Sequence, residues 1–170
     1  MTVIAYRSGI MACDSCWSYG DTQVASLIKI RRLSSGALLG QAGDNDCRAV
    51  DALLDKVKDP KKLPSRDELA RTLTDFQGLL AFPKGSVYVI SIGAVDQAGW
   101  SQNGDIGVWP ATSMGGFAAV GSGAECALAA MDAGATAREA VQIACRRNLY
   151  CRGPVHVIKL NPAKMNGARK

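Results

Sequence analysis

Histidine is nearly absent from this chain, and this restricts the catalytic arrangements open to it. His156 is the only candidate base for a Ser-His-Asp or Cys-His arrangement. It lies in an apolar run that is typical of a strand, where a core or edge histidine is the simpler interpretation. Phosphate-binding loops and dinucleotide-binding fingerprints are also missing, so the sequence predicts no nucleotide chemistry.

Long apolar runs are missing as well. No stretch approaches the roughly 18 residues that a membrane-spanning helix needs, so we expect no membrane association. Residues 1–7 contain no basic segment followed by a long apolar core, and we therefore expect no secretory signal. Without secretion, the six cysteines are expected to stay reduced, and we predict a cytoplasmic protein.

Positive charge is in moderate excess but is not concentrated. The formal net charge is +5, in a chain with 48% hydrophobic and 21% charged residues, which is the balance of a globular protein. The cations are scattered, no aromatic residues interleave with them, and no nucleic-acid motif occurs. We expect no nucleic-acid partner, and DNA or RNA binding ranks as a distant third hypothesis.

Strand formers and turn residues dominate the first 42 positions. The runs on either side of Ser8-Gly9 predict a tight hairpin of residues 2–7 and 10–14. With the turn at Ser8-Gly9, the strand register is expected to place Thr2 opposite Ser15 and next to Asp14. A second hairpin is predicted from 27–33 and 37–42. Further strands are predicted at 87–92, 117–120 and 155–160, with short strands and turns between 96 and 114.

Helices are predicted from capping residues and apolar spacing. Two capping boxes, Ser65 with Glu68 and Thr136 with Glu139, predict helix starts, and the first helix is expected to extend through Phe76. Two more helices are predicted: one that starts at residues 43–46 and continues through Ala49, Leu53 and Leu54, and one at residues 124–131. Runs of strands and runs of helices, rather than strict alternation, predict an α+β fold. We expect one domain, residues 1–160, and a basic, mobile tail at 161–170.

Thr2 is a candidate nucleophile because of its position. A small second residue normally permits removal of Met1, which would leave a hydroxyl and a free α-amine on one residue. An α-amine has a pKa of about 7.7–8.0, so part of it is a neutral base at physiological pH. Such an amine can activate its own hydroxyl. An ordinary strand start explains a lone Thr2 equally well.

Asp14 and Lys29 are charges set among apolar neighbours. Either one alone is best explained as a residue on the solvent face of a strand. As a buried pair, each offsets the desolvation of the other. A Lys29 cation beside Thr2 would lower the pKa of the α-amine and favour a developing alkoxide. Gly43 and Ser122 follow strand ends at glycine-rich turns, where a backbone N–H can act as an oxyanion donor.

These residues, taken in order, resemble the β-subunits of proteasomes and the proteasome-like peptidase subunit of the bacterial ATP-dependent heat-shock protease. The resemblance spans Thr2 to about Val157. Its motifs are the hairpin of residues 2–15, Lys29-Ile30-Arg31-Arg32-Leu33, Gly40-Gln41-Ala42-Gly43-Asp44 and Val120-Gly121-Ser122-Gly123-Ala124. The Ala133-Gly134-Ala135 break and Gly153-Pro154-Val155 also match.

The resemblance implies a threonine peptidase with the four-layer αββα sandwich of N-terminal-nucleophile hydrolases. Thr2 would be the nucleophile, Asp14 and Lys29 its charged partners, Gly43 the oxyanion donor, and Ser122 the partner of the α-amine. The resemblance implies a peptide or protein substrate and a homo-oligomeric ring, with no metal or cofactor. It is also compatible with an unfolding ATPase as a partner.

One segment departs from the family pattern, which has an Asp and, three residues later, Ser or Thr followed by Gly. Here those positions are Asn148, Cys151 and Arg152. Asn148 keeps hydrogen bonds without the charge, Cys151 is a weak donor, and Arg152 adds bulk. Two alternatives therefore stay open: a proteasome-like assembly subunit whose site has decayed, and an amidohydrolase of the same type acting on small amides.

Two further signals favour structural roles. The Cys13–Cys16 pair has CxxC spacing, but residues three apart on a strand face opposite sides, and no second such pair completes a zinc site. Trp100 and Trp109 could line a substrate path, although packing is the simpler interpretation.

Overall fold

The computed structural model describes residues 2–19, 22–43, 48–72, 75–93, 106–111 and 116–161. Its strands are β1 (Ile4–Arg7), β2 (Ile10–Cys13), β3 (Cys16–Tyr19), β4 (Thr22–Ser26), β5 (Ile30–Arg32), β6 (Leu38–Gly43), β7 (Phe76–Ala81), β8 (Val87–Ile92), β9 (Gly107–Pro110), β10 (Phe117–Val120) and β11 (His156–Lys159). Its helices are α1 (Arg48–Leu54), α2 (Arg66–Ala70), α3 (Ala124–Asp132) and α4 (Ala137–Arg147), with a 3-10 turn at Pro60–Lys62.

The described strands form two main antiparallel sheets and one separate hairpin. The first sheet has the order β10-β1-β2-β11, and the second has the order β5-β6-β7-β8-β9. Strands β3 and β4 pair only with each other among the described strands. Both predicted hairpins form: β1 pairs with β2, and β5 pairs with β6. The predicted strands at 87–92, 117–120 and 155–160 also form, as β8, β10 and β11.

Three apolar clusters hold these elements together. One contains side chains from both sheets, including Ile4, Met11, Leu38 and Leu79. Alternate residues of the first sheet pack on α3 and α4 in a cluster built largely of alanines, and alternate residues of the second sheet pack on α1 and α2. The period-two alternation of strand side chains explains why each sheet is buried on both faces.

Gly40 brings the two sheets close together. It lies in β6, and a Cβ atom at this position would overlap the side chain of Ile4 in β1 and crowd the sulfur of Met11 in β2. A larger residue would separate β1, which follows Thr2, from β6, which ends at Gly43. The absence of a side chain at Gly40 therefore lets β6 pack closely on β1 and β2, in the region that carries the candidate site.

The capping boxes form as predicted, but the helix that begins after Ser65 is shorter than predicted. Side-chain and backbone hydrogen bonds join Ser65 and Glu68 in both directions, and α2 ends at Ala70. Phe76 does not extend this helix; it opens β7, is fully buried, and pairs with Ile92. Apolar residues at 69, 73 and 76 imitate helical spacing, but burial between sheet and helices decides the structure.

The hairpin of β3 and β4 was not predicted from the sequence. Strand β4 is mostly exposed, so its residues lack the alternation of apolar and polar side chains that indicates a half-buried strand. Three predictions fall outside the described residues: the mobile tail beyond Asn161, most of the 96–114 region, and the helix start at 44–46. No described helix is long and apolar enough to cross a membrane.

Candidate active site

The first hairpin places Thr2 beside Asp14. Ile4 pairs with Cys13, and the Asp14 N–H donates to the Val3 carbonyl at 3.2 Å, so the pairing continues beyond the ends of β1 and β2. In this register Thr2 is opposite Ser15, as the length of the hairpin predicts. Thr2 is 5% exposed, and Asp14 and Ser15 are fully buried. Because strand side chains alternate, a hairpin one residue shorter on one side would face Thr2 away from this position.

The Asp14 carboxylate accepts hydrogen bonds from four donors. Oδ1 accepts from the Val3 N–H at 2.9 Å and from Lys29 Nζ at 2.8 Å. Oδ2 accepts from the Cys16 N–H at 3.1 Å and from the Arg152 N–H at 3.4 Å. A carboxylate that is removed from water keeps its charge only when such donors replace the lost solvent. Asp14 thus joins the start of the chain to two segments distant in sequence.

Lys29 and Asp14 form the buried ion pair that the sequence predicts. The side chain of Lys29 is 9% exposed and that of Asp14 is 0% exposed. Ile30, the next residue, is buried between the sheets and fixes the backbone from which Lys29 extends. Since Lys29 and the Val3 N–H share one carboxylate oxygen, the ammonium lies within two hydrogen bonds of the Thr2–Val3 peptide.

Ser122 contacts Thr2 from the other side, where a loop follows β10. The Thr2 N–H donates to Ser122 Oγ at 3.1 Å, and Ser122 Oγ donates to the Thr2 carbonyl at 3.3 Å. The Gly123 N–H donates to the same carbonyl at 3.2 Å. With Met1 attached, Thr2 N is an amide nitrogen. After cleavage of the Met1–Thr2 peptide bond, it would be the α-amine.

Gly121 allows this loop to approach Thr2. It has a φ of +91°, and a Cβ atom there would collide with the Thr2 carbonyl oxygen. Only glycine adopts such a conformation without strain and leaves room for the carbonyl. The close contact of this loop with Thr2 and Val3 therefore explains why glycines flank Ser122.

The segment that departs from the family pattern supports Ser122. Asn148 Nδ2 donates to the Ser122 carbonyl at 2.7 Å, and Asn148 Oδ1 accepts from the Tyr150 N–H at 2.9 Å. Cys151 is fully buried, and its sulfur lies 3.8 Å from Ser122 Oγ. Burial, with a further contribution from the Asp14 charge, raises the pKa of the Cys151 thiol to about 12, so the group is neutral at physiological pH.

Arg152 does not place its side chain in the site. Arg152 is exposed, and its Nε donates to the Leu149 carbonyl at 3.1 Å. Its backbone instead connects the site: the N–H reaches Asp14, and the carbonyl accepts from the Ser15 N–H at 3.2 Å. The next residue, Gly153, has a φ of +85° and packs against the Ser15 hydroxyl. The bulk expected from Arg152 is directed outward, and glycine follows one position later.

Gly43 lies at the same end of the fold, on the second sheet. It ends β6 with a φ of +115°, and a Cβ atom there would collide with the Asp75 carbonyl. Gln77, which pairs with its neighbour Ala42, accepts a hydrogen bond from the Gly121 N–H at 3.2 Å. Because Gly121 packs on Thr2, the end of β6 and the start of β1 are close in space. The role of Gly43 as an oxyanion donor stays a prediction.

Two contributors were missed at the level of the sequence. Gln77 is one, and its only signal is an amide in an otherwise apolar strand, β7. The backbone N–H of Gly123 is the other; backbone groups carry no sequence signal beyond the glycine itself. Gln77 acts on the loop that holds Ser122, whereas the Gly123 N–H acts directly on the Thr2 carbonyl.

The other signals do not form a second site. Cys13 and Cys16 are both buried and free, and burial raises the pKa of the Cys13 thiol to about 11. Within the described part of the chain, no group of three or more His, Cys, Asp or Glu residues could hold a metal ion. Trp109 is 41% exposed in β9, its part in a substrate path stays a prediction, and Trp100 lies outside the described residues.

Comparisons with known proteins give a fold. No family model and no curated protein matches the chain. The structure of BPH from Thiobacillus denitrificans in complex with epoxomicin matches with 21% identity and a TM-score of 0.62, covering 95% of this chain and 99% of that one. A second structure of BPH matches with 20% identity, a TM-score of 0.55, and coverages of 95% and 98%.

Eukaryotic HslV from Trypanosoma brucei matches as well. It has 18% identity and a TM-score of 0.59, and the match covers 93% of this chain and 98% of that one. At such identities the likeness concerns the arrangement of the backbone. Over nearly its whole length, the chain has the fold of HslV and proteasome-type proteins.

Proposed function

We propose that this protein is a threonine peptidase whose nucleophile is the Thr2 hydroxyl, activated by the Thr2 α-amine once the Met1–Thr2 peptide bond has been cleaved. One observation carries the proposal: Thr2 N lies 3.1 Å from Ser122 Oγ while the adjacent peptide is bound to the buried Asp14–Lys29 pair. A residue that needs both its amine and its hydroxyl in fixed positions requires this kind of support from two sides.

The reaction follows from the groups present. The neutral α-amine accepts the proton of the Thr2 hydroxyl as its oxygen attacks the carbonyl carbon of a peptide bond. The tetrahedral oxyanion accepts a hydrogen bond from the Gly43 N–H. Its collapse breaks the C–N bond, the amine returns the proton to the departing nitrogen, and an ester to Thr2 remains. Water, deprotonated by the same amine, hydrolyses that ester and restores the threonine.

Lys29 and Asp14 have separate parts in this scheme. The Lys29 cation lowers the pKa of the nearby α-amine, because like charges disfavour a second ammonium, and it stabilises negative charge on the Thr2 oxygen. Asp14 holds the Lys29 ammonium in place through their ion pair, and it binds the Val3 N–H directly. Asn148 and Cys151 support Ser122, the partner of the amine.

We further propose the αββα order of layers and a ring-shaped homo-oligomer. The three apolar clusters support this order: α1 and α2, the second sheet, the first sheet, then α3 and α4. The HslV-like fold supports assembly and a peptide or protein substrate. The unfolding ATPase as partner and the cytoplasmic location are proposed from the sequence. Light scattering after size-exclusion chromatography tests the ring; a monomer contradicts assembly and leaves the chemistry of Thr2 standing.

A second candidate is an assembly subunit of the same fold whose site no longer turns over. The uncharged support at Asn148 and Cys151 favours it, because neither of these side chains carries a negative charge that could bind an ammonium. An amidohydrolase acting on small amides would use the same chemistry. Assaying short peptides and small amides side by side separates these functions, and the subunit hypothesis predicts no turnover of either.

The test compares two forms of the protein. A fusion cleaved in front of Thr2 supplies the free amine, and a chain that retains Met1, checked by intact mass, is the matched control. We expect hydrolysis of short peptides by the first form alone, and its inhibition by epoxomicin, which a BPH structure contains. Equal activity of both forms, or no activity of the first, contradicts the proposal.

A further inference from the structure

The geometry points to Gln77 as a positioning residue for the proposed reaction: its side-chain carbonyl anchors the loop of residues 121–123 and so fixes Ser122 against Thr2. The inference rests on the proposed function for its effect on turnover. Its structural part, the anchoring of the loop, can be measured independently of activity.

The side chain of Gln77 faces the interface between the two sheets. Gln77 lies in β7 between buried Phe76 and Gly78. Strand alternation places it on the face that carries Leu79 and Ala81, which pack between the two sheets. An amide at an apolar interface costs free energy unless it is hydrogen-bonded. Its Oε1 accepts from the Gly121 N–H at 3.2 Å, a bond that crosses from the second sheet to the end of β10 in the first.

The Gln77–Gly121 bond holds the start of the loop that contacts Thr2. Gly121 is the first residue after β10, and its backbone packs directly on the Thr2 carbonyl. The next two residues supply the contacts to Thr2: the Ser122 hydroxyl and the Gly123 N–H. These contacts and the Asn148 bond to the Ser122 carbonyl hold the middle and the end of the loop. Gln77 provides a second anchor at the start of the loop.

Strand β7 connects the Ser122 loop with the predicted oxyanion donor, Gly43. Gln77 pairs with Ala42, and Phe76 pairs with Gly43. The strand that anchors the Ser122 loop therefore also supports the predicted oxyanion donor. A shift of β7 would move both groups relative to Thr2, and the Gln77 bond limits that shift.

The chain offers a matched control in Gln41. It lies in β6, the neighbouring strand, and pairs with Gly78, so its side chain is on the opposite face of the same sheet. It is half-buried like Gln77, but its Oε1 has no hydrogen-bond partner among the described residues. Gln41→Met therefore removes an amide of similar burial without removing a hydrogen bond of its carbonyl.

The experiment uses Gln77→Met, Gln77→Glu and Gln41→Met in the chain with a free Thr2 amine. Methionine keeps the length of the side chain and loses the acceptor, whereas glutamate keeps the acceptor. For Gln77→Met we expect about tenfold lower kcat with KM within about twofold, since the loop acts on the reacting groups and one net hydrogen bond is lost. Gln77→Glu should recover most of kcat, and Gln41→Met should match the wild type.

Hydrogen exchange of the peptide covering residues 117–124 is the readout independent of activity. We expect exchange about tenfold faster in Gln77→Met alone, because one protecting bond has been removed. Unchanged exchange in Gln77→Met, or an equal increase in Gln41→Met, overturns the inference even if the enzyme is active. Absence of turnover in the wild type contradicts the proposed function, and the exchange result still decides whether Gln77 anchors the loop.

Discussion

Two supports hold Thr2, and they differ in burial and charge. On the side of β2, a carboxylate with no solvent exposure collects three backbone N–H groups and the Lys29 ammonium. On the side of β10, a partly exposed loop contacts Thr2 through a hydroxyl and one backbone N–H. Two partners of this loop, Asn148 and Cys151, are uncharged.

This contrast in burial and charge predicts which substitutions the protein tolerates. Removing one member of a buried ion pair leaves the other unpaired in a medium where water cannot replace it. A neutral contact at a partly exposed loop can be replaced by water at lower cost. We therefore expect the Asp14 side to control folding and activity together, and the Ser122 side to control mainly activity.

The largest effect is expected for Asp14→Asn. The substitution leaves the Lys29 ammonium buried without its counter-charge and should reduce the free energy of unfolding by about 3–5 kcal/mol, with loss of peptidase activity. In the double variant Asp14→Asn/Lys29→Met the buried charge is gone, so stability should partly return while activity stays lost. Urea unfolding of both variants measures this. A double variant no more stable than Asp14→Asn would show that the pair has no coupling of this kind.

The next effect is expected for Ser122→Ala. It removes the hydroxyl 3.1 Å from Thr2 N but no charge, so we expect kcat to fall about 100-fold and stability to change by less than about 1 kcal/mol. Steady-state kinetics and thermal unfolding of the same preparation test it. A stability loss as large as that of Asp14→Asn would remove the distinction between the two supports.

A smaller effect is expected for Asn148→Asp, although it introduces the residue type of the family pattern. Asn148 donates through Nδ2 to the Ser122 carbonyl, and a carboxylate cannot donate there. Two oxygens would then face each other, so we expect kcat to fall about tenfold, in line with about 1–3 kcal/mol for an unsatisfied polar contact. Increased activity would mean that the missing charge, and not the hydrogen bond, limits this site.

The smallest effect concerns the pH dependence of stability through Cys151. Burial raises its pKa from 9.0 to about 12 in the folded state, so the folded protein retains a proton that the unfolded chain loses above pH 9. The stability contribution is therefore complete below about pH 9 and decreases as pH rises toward 12. Cys151→Ala should reduce this decrease in urea unfolding. Only part should disappear, because the pKa of Cys13 is also raised.

The sequence predicted the parts of the site that depend on short-range register. The length of the first hairpin placed Thr2 opposite Ser15 and beside Asp14, because strand side chains alternate regardless of tertiary context. The pairing of Lys29 with Asp14 followed from the cost of burying either charge alone. The strand at Val87–Ile92 was predicted from its apolar, branched composition.

Features that depend on long-range packing were missed. Phe76 fits the spacing of a helix but is buried in a strand, since its environment is set by residues distant in sequence. The outward direction of Arg152 and the Gln77–Gly121 bond depend on how separate segments meet. The β3–β4 hairpin is too exposed to leave an apolar pattern.

The measurement that tests the central claim most directly is the location of a covalent adduct. The chain with a free Thr2 amine would be treated with an electrophile directed to N-terminal threonine, digested, and mapped by mass spectrometry. We predict one adduct per chain, on Thr2, that is absent from Thr2→Ala and from the chain retaining Met1. An adduct confined to a cysteine, or an unmodified Thr2 in a folded, fully processed protein, would contradict the account.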